Sequence, residues 1–137
     1  MAVFEHHIKV RGFHCDMFQH VNNARYLELL EETRWEWLNA MGPFEYFEKK
    51  QQSFVIVSIT IHYRYPAVLN DVLRITVEPK TIGNRSATVQ QRITRQSDDK
   101  LIAEAEVTFA MVDNKTGKAV PFDDELRRLV IGDPDQA

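Results

Sequence analysis

Apolar and polar positions alternate in two rhythms along this chain, and the change of rhythm marks its elements. Residues 3–10, VFEHHIKV, read as a short strand. The following RGFHCDMFQHVNN has no clear period and reads as a loop. From Ala24, the residues Tyr26, Leu27, Leu30, Trp37, Leu38 and Met41 recur at the three- and four-residue spacing of a helix stripe. Asn22 or Asn23 can cap its start, and Gly42-Pro43 stops it. About 18 residues rising ~1.5 Å each make a helix of roughly 27 Å. A second short helical piece, PFEYFEKK, follows.

The remainder has the period of strands. FVIVSITIHYRY (54–65) is β-branched and aromatic, and too apolar to be exposed on both faces. DVLRITVEPKTI (71–82), SATVQQRITRQ (86–96) and LIAEAEVTFAMVD (101–113) alternate as half-buried strands do. Turn chemistry lies between them at Pro66–Asn70, Gly83-Asn84, Ser97–Lys100 and Asn114–Gly117. DDELRRLV reads as a short C-terminal helix. A sheet with one bare face would expose much apolar surface, so the economical arrangement is α+β, a long central helix wrapped by an antiparallel sheet. The chain reads as one domain over residues 1–137, with a frayed tail from about residue 132.

Composition narrows the function classes. With 137 residues the chain can bury one core, and 44% hydrophobic with 27% charged residues is ordinary for a globular domain. The net charge is −3 and the basic residues are scattered, which argues against nucleic acid as a partner. One cysteine permits no intrachain disulfide, there is no secretory pattern at the N-terminus and no membrane span, so a cytoplasmic protein is expected.

Asp16-Met17-Phe18-Gln19-His20-Val21-Asn22-Asn23, with Tyr26 beyond it, resembles the D-x-x-x-H-V-N-N-x-x-Y signature of hotdog-fold thioesterases, the group of 4-hydroxybenzoyl-CoA thioesterase. Tyr63-Arg64-Tyr65-Pro66-Ala67-Val68-Leu69-Asn70-Asp71 is similar to that group's Y-R-x-P-A-x-L-x-D turn. The resemblance runs from about Ile8 to Leu129 and is closest to the bacterial long-chain acyl-CoA thioesterase III type. It implies a hotdog fold, in which the long helix is the sausage and the antiparallel sheet the bun. It also implies dimers or tetramers paired edge to edge, with sites at subunit interfaces. The implied reaction is hydrolysis of acyl-CoA to a fatty acid and CoA, with no metal and no bound cofactor.

Thioester hydrolysis needs a carboxylate that attacks or activates water, and donors for the oxyanion. Asp16 precedes a helix start, where free N–H groups and the helix dipole favour negative charge. The resemblance places the oxyanion donor on the backbone N–H of Asn23. His20 can orient water, bond substrate or hold the loop. CoA phosphates need cations, and the resemblance points to Arg64 and the Asn84-Arg85-Ser86 turn. Tyr26, Trp35 and Trp37 are core residues or acyl-pocket walls, and Tyr26, Leu30, Trp37, Phe44 and Phe54 are candidates for an acyl channel. Glu28, Glu31 and Glu32, near Arg34 and Glu36, read as a charge network. His6, His7, His14, Cys15, Asp16 and His20 fit no zinc spacing. Cys15 on an extended stretch points away from Asp16, which disfavours it as a nucleophile. Two rival readings are a hotdog hydratase or dehydratase using His20, and a non-catalytic acyl-CoA-binding module.

Overall fold

The computed structural model describes residues 3–131; the tail expected from about residue 132 lies outside them. Strand β1 (Phe4–Lys9) is followed by a 3-10 turn (Gly12–His14), helix α1 (Asn23–Met41) and helix α2 (Phe44–Lys50). Strands β2 (Gln52–Tyr63), β3 (Val72–Ile82), β4 (Ser86–Arg95) and β5 (Lys100–Asp113) come next. A two-residue strand β6 (Ala119–Val120), which the sequence pattern does not announce, and helix α3 (Asp124–Ile131) complete the chain.

The strands form one antiparallel sheet in the order β1-β3-β4-β5-β2, with β6 added against β5. SATVQQRI is therefore central and paired on both sides, whereas VFEHHIKV and β2 are the two edges. Alternation along β3 and β4 turns Leu73, Ile75, Val77, Ala87, Val89 and Ile93 to the inner face. The outer face carries ion pairs such as Arg92–Glu78 at 3.0 Å and Lys80–Glu106.

Helix α1 begins because Asn22, extended at φ −61 and ψ 138, accepts the Ala24 N–H on its Oδ1 at 2.9 Å. It ends at Gly42, whose φ of 74 is a left-handed turn that glycine adopts without a Cβ clash. Its buried face is Tyr26, Leu29, Leu30, Thr33 and Trp37. Leu27, expected on that stripe, is exposed instead, and Leu29 takes the inward place. Each fully buried side chain of this size contributes about 1.5–3 kcal/mol. One core cluster gathers Leu29 and Leu30 with Leu73, Ile75, Ile93 and Ala105. A second gathers Trp37 with Val89, Phe109, Met111, Phe122 and Leu126.

The segment between β1 and α1 is a loop, as expected, and is held by a 3-10 turn and the antiparallel bridges Cys15–Val21 and His20–Val68. Another expectation changes: β2, read as too apolar to be exposed on both faces, leaves Val55, Ile56, Val57 and Ile59 between 37% and 57% exposed in the single chain. The reason is topological. β2 pairs only with β5, and α1 runs closest to β1 and β3 at the other side of the sheet.

Candidate active site

The Asp16 loop is a small hairpin. Asp16 donates its N–H to the His20 carbonyl, and the Gln19 N–H returns to the Asp16 carbonyl, both at 2.9 Å. Gln19 closes it in the left-handed region at φ 65. Asp16 is half-buried, and its Oδ1 accepts the Phe18 N–H at 2.9 Å, which fixes the carboxylate plane. Its other oxygen has no partner among the described residues. Cys15 turns aside, packing on the core with Sγ towards the Arg11 carbonyl at 3.8 Å.

Beyond the loop, the Asn22 N–H goes to the His14 carbonyl and the Val21 N–H to the Ala67 carbonyl, each at 2.9 Å. Asn22 is thus the helix cap, and Asn23 is the first helical residue. The amide of such a residue lacks an intrahelical acceptor. Among the described residues the Asn23 N–H donates to nothing, while its carbonyl accepts the Tyr63 hydroxyl at 3.0 Å. Asp16, His20 and Asn23 line one cavity of about 340 Å³ with Tyr26, Tyr63 and Arg64. A second depression of about 590 Å³ shares Asp16 and His20 with it and is lined also by Phe18 and Leu69.

Tyr26 is 4% exposed, and its hydroxyl oxygen accepts the Ala67 N–H at 3.1 Å. Burial pushes its phenol up from the ordinary value, so it holds the Y-R-x-P turn as a neutral group and supplies one wall of the cavity. Arg64 stands at the mouth, paired with Glu104 at 2.9 Å, and that guanidinium holds the Glu104 carboxyl below its usual range. His20 is exposed, and its backbone bridges to Val68 in the β2–β3 connection.

Asn84, Arg85 and Ser86 lie elsewhere in the same chain. Their turn closes the far end of β3, where Asn84 accepts the Phe122 N–H at 2.8 Å and Arg127 reaches Gly83. The eleven residues of β3 separate it from the Asp71 side of the site, roughly 36 Å of extended chain.

The acyl-channel candidates divide. Phe44 and Phe54 line an apolar cavity of about 430 Å³ with Trp35, Leu38, Phe47 and Ile56. Tyr26, Leu30 and Trp37 are core residues instead. Trp35 stacks on Phe44 at 6.2 Å, a contact that periodicity on α1 alone does not show. The glutamates are dispersed, Glu28 on Arg25 at 2.9 Å and Glu32 on His6 at 3.1 Å. Arg34 leaves that network and turns inward to the buried Gln91, 3.1 Å away. Sequence reasoning missed Tyr63, whose signal was its place at the head of the Y-R-x-P turn.

A long helix packed on an antiparallel sheet, with a carboxylate and a helix N-terminal amide (unpaired among the described residues) lining one cavity, points to the hotdog thioesterases as the class. The model of the thioesterase-like superfamily matches residues 10–130, and the chain belongs to that superfamily. It is 46% identical over 120 residues to the long-chain acyl-CoA thioesterase FadM of Escherichia coli K12, covering 88% of this chain and 91% of that one. The crystal structure of YbaW Probable Thioesterase from Escherichia coli superposes with a TM-score of 0.87 at 43% identity, covering 93% and 96%. Slr0204, a 1,4-dihydroxy-2-naphthoyl-CoA thioesterase from Synechocystis, gives a TM-score of 0.86 at 16% identity over 98% of each chain, a likeness of fold.

Proposed function

We propose that this protein hydrolyses long-chain fatty acyl-CoA, releasing fatty acid and CoA, with Asp16 as the catalytic carboxylate. The observation that carries the reading is the shared cavity of Asp16 and the free Asn23 N–H. Either a carboxylate oxygen takes a proton from water as the water oxygen attacks the carbonyl carbon, or it attacks that carbon itself. The second route leaves a mixed anhydride on Asp16 once the thiolate departs. Water then hydrolyses it, restoring the carboxylate and releasing the fatty acid and a proton. The carbonyl oxygen gains charge against the Asn23 N–H, worth about 2.7–4 kcal/mol for one such donor in a comparable acyl-transfer site. The C–S bond then breaks and the sulfur leaves as CoA thiolate, which takes up the proton. A thioester has two arms, and two depressions that meet at Asp16 suit that shape. The hydratase reading requires an oriented histidine, and the exposed His20 side chain has no orienting partner among the described residues.

The long-chain assignment draws on the 46% identity to FadM and on the aromatic cavity at Trp35 and Phe44. Arg64 meets the CoA end, and the Asn84-Arg85-Ser86 turn joins it from a neighbouring copy in a homo-oligomer paired along β2. The protein works without a metal or bound cofactor, in the cytoplasm. Among the described residues no helix is long and apolar enough to cross a membrane.

Asp16→Asn tests the mechanism. Asparagine keeps the size and the acceptor for the Phe18 N–H but is neither anionic nor basic. kcat on a long-chain acyl-CoA should fall by at least about 10²–10⁴-fold, with an unchanged melting curve. A folded variant within a few-fold of wild type makes Asp16 structural.

A further inference from the structure

We infer that His14 is a positioning residue for this hydrolysis: its neutral imidazole anchors, on the chain leaving β1, the residue whose backbone carbonyl holds the start of α1. The inference rests on the thioesterase reading above. The two groups that the chemistry needs, the Asp16 carboxylate and the Asn23 N–H, are separated by six residues that carry no regular element. Their relative position depends on the bonds that cross the loop. His14 makes one of these and is itself anchored by a second bond. Its carbonyl accepts the Asn22 N–H at 2.9 Å, one residue before the oxyanion donor. Its ring Nδ1 accepts the Arg11 N–H at 2.8 Å, which fastens His14 to the chain leaving β1. The ring is buried at 9% exposure and lies 4.3 Å from the Phe13 ring.

A backbone N–H donates only to an unprotonated ring nitrogen, so the ring proton is on Nε2. A second proton on Nδ1 would set N–H against N–H and orphan the Arg11 amide. The surroundings favour the neutral form. Burial lowers the His14 pKa first, Arg25 next and Arg11 by less, against Glu32 and Glu28 on α1, which raise it. His7 and Lys9 of β1 and Glu31 of α1 face the same depression.

Substitution separates the acceptor from the ring. Asparagine places Oδ1 two bonds from Cβ, where histidine has Nδ1, and it does not titrate. Leucine fills the space without an acceptor. Steady-state kinetics on palmitoyl-CoA across acid and neutral pH, with thermal melts and amide hydrogen exchange, compare wild type, His14→Asn and His14→Leu. His14→Leu should lose about 10- to 100-fold in kcat, as misplaced catalytic groups do, with KM nearly unchanged, and the Asn22 amide should exchange faster. His14→Asn should keep kcat at neutral pH and hold its activity to lower pH than wild type, His20 being present in both.

A folded His14→Leu with wild-type kcat overturns the inference. So does an acid limb in His14→Asn that matches wild type, and this outcome decides the matter if the leucine variant fails to fold. A wild type inert on acyl-CoA removes the thioesterase reading instead; faster Asn22 exchange in His14→Leu then still supports the anchor, and unchanged exchange overturns it.

Discussion

Tyr26 holds its ring in the core and its hydroxyl against a backbone amide, so its two halves can be tested apart. Tyr26→Phe keeps the ring and leaves the buried Ala67 N–H unpaired. It should cost about 1–3 kcal/mol, read as a lower midpoint in urea unfolding. His14 makes stability depend on pH with a definite sign. Its folded pKa lies below the value of 6.5 for an open chain, so the unfolded chain takes up the proton at higher pH. The stability is complete above 6.5 and is lost as pH falls through the lower folded value. Urea midpoints should drop over that window in wild type and stay flatter in His14→Asn. At this scale the candidates Asp16 and Asn23 were legible because both lie within one contiguous motif, and the fold sets them on one cavity. Tyr63 and the anchoring role of His14 were not, because their partners are set by how loop, helix and strand meet, and neither residue type signals a backbone partner.

For the elements, the local signals were sufficient where chemistry and period agreed. Asn22, Gly42 and the three-to-four spacing bounded α1 to within a residue. Asn22→Ala should remove about 1 kcal/mol, visible as a lower melting temperature by circular dichroism. Periodicity misjudged Leu27 and could not sort Trp35 from Trp37, since the inner face of α1 is decided by where the sheet lies. Trp37 is 4% exposed in the core and Trp35 is 53% exposed on the aromatic cavity. That division gives a substrate test of the proposed function. Each added methylene buried there should raise kcat/KM by up to about fourfold, equivalent to ~0.8 kcal/mol, until the cavity is full. Trp35→Ala should flatten that rise in a series from octanoyl- to palmitoyl-CoA. A wild-type maximum at acetyl-CoA would overturn the long-chain assignment.

Across the whole molecule, β2 dominates. A twelve-residue strand at the sheet edge, with Val55, Val57 and Ile59 exposed, offers backbone and apolar surface that single domains normally cover. Light scattering at micromolar concentration should give a dimer or tetramer, and Val57→Lys should shift it towards monomer; a strict wild-type monomer would count against shared sites. The length of β2 was readable from its β-branched run, but its edge position was not, because strand order is a property of the sheet. The same order has a consequence in time. β3, β4 and β5 are neighbours in sequence and can zip together as hairpins, whereas Phe4 must find Val77 and Gln52 must find Asp113 across long loops. Closing those loops is slow, so the meander should form first and the flanking strands dock afterwards. The Asp16 hairpin hangs between β1 and α1 and leans on Ala67 and Val68, ahead of β3. Refolding would therefore deliver a chain with most of its sheet and no activity, and esterolysis would return only with the slowest phase.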